Sequence, residues 1–275
     1  MGMLIVRLNL SMCRRPELTL YNGDCLEIMK ELPEKSVDLI ICDLPYGCLH
    51  AGRKQEGNWY DRNQNGGEGC SWDMKIDLKA FWEQVRRIRK NEHTPTIHFC
   101  TTKFGFELHA SNPDEFRYDL VWDKQRGVSF LSANKMPMRS HEMIYVFSKA
   151  GAFYNRVDIS GNFEPYAFKA TEEGQPRAGK NSRTATQNDG TKRCVLSVIQ
   201  VNNKTLRKSA HPTEKPTDLY RFLIERYCPP GGTVLDPTFG SGNSVFTAHS
   251  LGRNGIGIEK DDGFFEKAAK KLNDL

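Results

Sequence analysis

"GGTVLDPTFGSGNS", residues 231–244, joins an apolar run to a glycine-rich turn through one acid, Asp236. "TVLD" (233–236) reads as a short buried strand, and the residues from about Ser241 read as the start of a helix. Between them Gly240 and Gly242 let backbone approach a ligand closely. An acid at the carboxyl end of a strand, followed by such a turn, makes a nucleotide cradle in an open α/β sheet. Twenty-three residues after Asp236, the next strand, "NGIGIE" (254–259), ends in Glu259, placed to accept hydrogen bonds from both hydroxyls of a ribose. The turn lacks the third glycine of G-x-G-x-x-G, which argues against a nicotinamide dinucleotide.

The same device occurs near the other end of the chain. "VDLIICDLPYG" (37–47) is an apolar strand that ends in Asp43 and then locks its turn with Pro45 and Tyr46. "LTLYN" (18–22) reads as a strand before it, with a helix from about Cys25 to Leu32 between the two. "DLKAFWEQVRRIRK" (77–90) reads as an amphipathic helix capped by Asp77, and "PTIHFC" (95–100), "YDLVW" (118–122) and "EMIYVF" (142–147) read as strands. A helix near 216–227 precedes the glycine turn and another follows Glu259. Alternation of this kind predicts an α/β fold with a mostly parallel sheet and helices on both faces.

At 275 residues, 38% hydrophobic and 27% charged, the chain can bury one substantial core with one smaller inserted lobe. No apolar run approaches membrane-spanning length, and Arg7 and Asn9 interrupt the apolar start, which reads against a secretory signal. The eight cysteines form no C-x-x-C pair, so no metal site is expected, and several fall in apolar strands, as reduced cytoplasmic thiols do. Residues 151–210 hold ten Lys or Arg against five acids, an excess equal to the net charge of +5 on the whole chain. Rich in Gly, Asn, Thr and Ser, this stretch reads as a loop-rich basic module between more regular halves.

Taken together, these segments resemble the beta class of S-adenosylmethionine-dependent DNA amino-methyltransferases, a circularly permuted group. Its catalytic motif, (D/N/S)-P-P-(Y/F/W), corresponds to Asp43-Leu44-Pro45-Tyr46, and its cofactor motif to "DPTFGSG" (236–242). "NGDCLEIMKELPEKSVDLIICDLPYG" (22–47), "HPTEKPTDLYRFLI" (211–224) and "RNGIGIEKDDGFFEKA" (253–268) match its opening block, pre-cofactor helix and closing block. The resemblance implies a Rossmann-like, permuted methyltransferase fold: a catalytic half at 17–150, a target-recognition region at 151–210 and a cofactor-binding half at 211–275.

What the resemblance implies for chemistry is methyl transfer from S-adenosylmethionine to the N6 amine of an adenine extruded from duplex DNA. N4 of cytosine, and a catalytically silent DNA-binding protein on the same scaffold, are the alternatives. Asp43 and the Leu44 carbonyl would hold the amine, Tyr46 would stack on the base and Pro45 would fix the turn. Leucine at 44 departs from the usual proline. Asp24, Cys25, Asp43, Thr213, Lys215, Asp236, Phe239, Gly240, Ser241, Gly242, Asn243, Glu259 and Lys260 would contact the cofactor. Arg53 and Lys54, in the glycine-rich stretch 47–72, and Arg177, Lys180, Arg183, Lys192 and Arg193 would contact DNA. A prokaryotic or phage-encoded cytoplasmic enzyme is expected, with a homodimer left open.

Overall fold

The computed structural model describes residues 4–8, 16–45, 75–128, 130–168, 186–202 and 214–275. The chain divides into two compact units, one of residues 1–155 with 197–275 and one of residues 156–196.

The larger unit is built on a nine-stranded sheet. In chain order its strands are β1 (Leu4–Leu8), β2 (Leu18–Asn22), β3 (Leu39–Cys42), β4 (Thr96–Cys100), β5 (Phe116–Val128) and β6 (Arg139–Phe147). After the smaller unit's β7 (Ile159–Ser160), β8 (Tyr166–Phe168), β9 (Thr186–Asn188) and β10 (Lys192–Arg193) come β11 (Val198–Gln200), β12 (Thr233–Asp236) and β13 (Asn254–Glu259). The spatial order is β1-β2-β13-β12-β3-β4-β6-β5-β11. From β2 through β4 every neighbouring pair is parallel, and β1, β6 and β5 supply the antiparallel pairings. The sheet is thus mostly parallel, as the alternating pattern predicts.

Among the described residues six α-helices accompany these strands: α1 (Cys25–Glu31), α2 (Leu78–Ile88), α3 (Thr102–Ser111), α4 (Thr217–Tyr227), α5 (Asn243–Ser250) and α6 (Asp262–Asn273). In α2, Phe81, Trp82, Val85 and Ile88 form a buried stripe at helical spacing, and Asp77 caps the start by accepting from the Lys79 and Ala80 N–H groups. Arg87, in its last turn, donates to the Leu32 and Lys30 carbonyls at 2.7 and 3.0 Å, and to that of Met29, so one helix satisfies the open C-terminus of another. Residues from both faces of β3 are fully buried: Ile40 and Cys42 pack with α1 and α2, Leu39 and Ile41 with α4. The sheet therefore has a core on each side, and β3 is held rigidly at its centre.

β1, α3 and the short strands β7 to β11 lie outside the sequence expectations. β1 pairs along the edge of β2, and α3 follows β4 directly, with Thr101 capping it through the Phe104 N–H at 3.3 Å. The strand expected at 118–122 runs from Phe116 to Val128, and its partner begins at Arg139, so the hairpin extends beyond the apolar residues that signal it.

In the smaller unit, β7 pairs antiparallel with β10 and β8 with β9. Gly190, with φ +84°, turns the chain where an added Cβ would lie 2.3 Å from the Phe163 carbonyl oxygen.

Candidate active site at the carboxyl edge of the sheet

Because β2, β13, β12 and β3 are parallel neighbours, their carboxyl ends share one edge. Each delivers an acid there: Glu259 and Asp236 are the last residues of β13 and β12, Asp43 follows β3 directly, and Asp24 stands two residues beyond β2. Four acids far apart in the chain are thus set in a row by strand order alone. Carboxyl ends of parallel strands are where open α/β sheets bind ligands.

Asp236 is 2% exposed and receives the Thr238 N–H at 3.0 Å and the Ser244 hydroxyl at 2.5 Å. Burial pushes its carboxyl up to about 7; the hydrogen bonds from Ser244 and Thr238 oppose that, and the charges of Asp43 and Glu259 add to it. Glu259 accepts the Gly240 N–H on one oxygen and the Asp261 N–H on the other, both at 2.8 Å. Burial raises this carboxyl too, against those two backbone bonds. A carboxylate has about four acceptor positions, so each oxygen of Glu259 retains room for a hydroxyl donor.

The turn between these acids has the backbone that its glycines permit. Gly240 and Gly242 have φ of +55° and +78°, and α5 starts directly after Gly242. Phe239 is 4% exposed; its ring packs in the core with Leu18, Leu20 and Val245, supporting the turn from beneath. Asn243 donates to the Glu214 carboxylate at 2.7 Å and the Lys215 carbonyl at 3.0 Å, which ties the turn to the segment before α4. Ser241 is partly exposed within the turn.

Asp24 caps α1 through the Leu26 N–H at 3.0 Å, and Lys260 reaches its other oxygen at 3.2 Å. Cys25 is buried behind it, its thiol pushed up to about 12 by burial and by the Asp24 charge. The acids, the positive-φ turn and the half-exposed Asp24 fit S-adenosylmethionine: hydroxyl donors suit Glu259, and cationic groups suit the carboxylates.

Asp43 is anchored on both sides. Its carbonyl accepts from the Thr238 hydroxyl at 3.2 Å, and the next residue, Leu44, is 1% exposed in the cluster that holds Cys42, Phe104 and Ile258. Leucine in place of proline therefore fixes this turn through apolar packing. The Asp43 carboxylate pairs with Lys215, which also lies 3.8 Å from Glu142 and 4.7 Å from the centre of the Phe99 ring. Burial acts to lower the Lys215 ammonium, but Asp43 and Glu142 outweigh it and the net direction is upward, so the group stays charged. Glu142, its carboxylate hydrogen-bonded to Lys124, is held low by these two lysines against the opposing effect of burial. Sequence reasoning missed Glu142, and no local motif marks it.

Tyr46, Thr213, Arg53, Lys54, Arg177, Lys180 and Arg183 lie outside the described residues. Pro45 is partly exposed beside Leu44. Lys192 and Arg193 form β10 of the smaller unit, with the Arg193 guanidinium 4.6 Å from the centre of the Phe163 ring. Among the described residues no group of acids, histidines and cysteines could hold a metal ion, and no helix is long and apolar enough to cross a membrane.

The family model for N6/N4 methyltransferases, described as DNA methylase, matches residues 37–271. The type II methyltransferase M.HinfI of Haemophilus influenzae is 26% identical over 266 residues, covering 94% of this chain and 68% of its own. Among solved structures, the M1.HpyAVI–SAM complex superposes with a TM-score of 0.57 at 21% identity, over 94% of this chain and all of the other. The cytosine-N4-specific PvuII DNA methyltransferase gives 0.60 at 17% identity, over 94% and 86%. At these identities the two structures establish the fold.

Proposed function

The chain belongs to the N6/N4 DNA methylase family, and on that premise we propose that it methylates the exocyclic N6 of an adenine extruded from duplex DNA. The observation that carries this reading is Asp43: a carboxylate on a rigid central strand end, one strand away from the acids and glycine turn of the cofactor cradle. The permuted order, with the Asp43 strand ahead of the glycine turn, supports placement in the beta class. Asp at this turn, rather than Ser, favours adenine over cytosine by the family tendency.

S-adenosylmethionine, when bound, supplies an electrophilic methyl group carried on a sulfonium. Glu259 would hold its ribose hydroxyls, Asp24 its adenine amine, and Asp236 with the 239–243 turn its remaining contacts. The protein's task at the other reactant is orientation, because the lone pair of an aromatic amine is delocalised into its ring. Asp43 and the Leu44 carbonyl accept the two amino hydrogens and turn that lone pair out of conjugation. Positive charge then develops on nitrogen beside a fixed carboxylate, and the transferred group replaces a proton that is lost afterwards. Tyr46 stacks on the extruded base. The basic stretch 151–210 supplies phosphate contacts and target recognition, with Lys192 and Arg193 among the contacts.

Digestion of duplex DNA treated with the protein and S-adenosylmethionine tests the reading. N6-methyl-2′-deoxyadenosine in the digest is expected. N4-methylcytosine alone would overturn the choice of base, and no methylated nucleoside would overturn the activity.

A further inference from the structure

The β5–β6 hairpin is a second surface at the catalytic edge. β6 runs antiparallel to β4, with Cys100 opposite Met143, so its start lies at the same edge as Asp43, and β5 ends there too. The described residues between Lys124 and His141 therefore project past the edge that carries the acids. That span contains four cations, Lys124, Arg126, Lys135 and Arg139, and no acid.

The projection is a built feature. Val128 pairs with Arg139 across its base, and Met138 packs over Gly127 so closely that an added Cβ there would lie 2.7 Å from its methyl group. Arg139 donates to the Thr102 hydroxyl at 3.1 Å, tying the hairpin to the start of α3. At the tip a 3-10 turn, Phe130–Ser132, is closed by the Ala133 N–H on the Phe130 carbonyl at 2.9 Å. Phe130 and Leu131 in this turn are 72% and 67% exposed, and Met136, four residues past its end, is 60% exposed.

Single exposed apolar residues are ordinary, but several large ones within seven residues of one hairpin tip mark a contact surface. Arg126 and Lys135 are exposed around that tip, so the partner is an anion with an apolar interior. Stacked bases between phosphate strands have that chemistry, and apolar wedges flanked by cations open base steps in this manner.

We propose that the hairpin tip enters the DNA duplex, with Phe130 and Leu131 against the bases and Arg126 and Lys135 on the flanking phosphates. The inference rests on DNA being the substrate, and it adds a contact that opens the stack from the catalytic edge.

Two double variants of the full chain test it, Phe130→Ser/Leu131→Ser and Arg126→Gln/Lys135→Gln. Fluorescence anisotropy on a labelled duplex is read across salt, methyl transfer is compared on duplex and single-stranded oligonucleotides, and sedimentation gives the oligomeric state. The cation variant should bind duplex more weakly, with a log-log salt slope shallower by about two. The apolar variant should lose duplex transfer by about tenfold or more while keeping single-strand transfer, since a single strand has no stack to open. Unchanged duplex affinity and salt slope in the cation variant, or unchanged duplex transfer in the apolar variant, would overturn the proposal. So would a dimer that the apolar variant dissolves, because the tip would then face a second copy. If duplex affinity falls in both variants although the parent transfers no methyl group, this surface stands and the methylation reading falls.

Discussion

Lys215 pairs with Asp43 across 172 residues of sequence, and the lysine side chain in that pair is only 4% exposed. The oxygen it holds belongs to the carboxylate proposed to accept a substrate amino hydrogen. In the proposed reaction the substrate amine would share this carboxylate with the Lys215 ammonium. Glu142, 3.8 Å away on β6, offers the ammonium a second carboxylate without returning it to water. The arrangement holds the Asp43 side chain in place between the strand end and the buried ammonium.

Replacing Lys215 by Met should therefore destabilise the protein by about 3–5 kcal/mol, the usual cost of leaving a buried charge without its partner. In an Asp43→Asn background the same replacement should cost less, because the ion pair is already gone there. Urea unfolding of the four proteins measures the coupling. Equal costs in both backgrounds would mean that the pair contributes nothing to stability.

Removing the carboxylate itself tests the chemistry. Asp43→Ala should lower kcat by about 10²–10³, the effect of deleting one charge-stabilising group in an active site, while duplex affinity changes little. Radiolabel transfer and anisotropy on one oligonucleotide separate the two quantities. Full turnover in Asp43→Ala would refute the mechanism.

Asp236 gives the cofactor site a pH dependence. Its folded carboxyl, at about 7, lies above the ordinary value of 3.8, so the native state holds an extra proton between the two. Stability contributed this way is full below the ordinary value and is lost as pH rises through about 7. A cationic ligand prefers the ionised form, so S-adenosylmethionine affinity should rise between about pH 6 and 7.5 as that proton leaves. Asp236→Asn should bind more weakly and lose this rise. Calorimetry across that range is the check, with NAD as a ligand that should not bind. A flat profile in the parent protein would remove Asp236 from the cofactor contacts.

How far the sequence carried the site depended on the range of each interaction. Strand-end acids and positive-φ glycines are local, so Asp43, Asp236, Glu259 and the 240–242 turn could be read from neighbouring residues. The Lys215–Asp43 pair and the part of Glu142 come from strand order, which brings β3, β6 and the segment before α4 together. No local pattern encodes that. α3 was missed because exposed Phe106 sits among buried Phe104, Gly105 and Leu108, which blurs its apolar stripe. The outer hairpin was missed because, between the paired Asp123 and Val128, β5 carries the polar residues 124–126, whose side chains give no strand signal.

His98 makes the last prediction, and it concerns stability alone. Its ring is fully buried on β4, edge-on to Phe81, Trp82 and Phe147 at 5.2 to 5.7 Å between centres, and neither nitrogen has a hydrogen-bond partner among the described residues. Burial pushes the imidazole from 6.5 down to about 3, so the native ring is neutral throughout that interval. The unfolded chain binds the proton below about 6.5, and the native state does not. Stability must then rise with pH across the interval and fall on acidification, with most of the loss complete near pH 3. One unit of pH inside the interval corresponds to about 1.4 kcal/mol, so passing from pH 7 to pH 5 should cost about 2 kcal/mol through this one residue. His98→Phe keeps an aromatic ring among the same neighbours and removes the titration. Urea unfolding of both proteins at the two pH values should show a loss smaller by about that amount in the variant. Equal losses in the two proteins would mean that His98 reaches solvent or a partner when protonated, and the buried neutral ring would have to be abandoned.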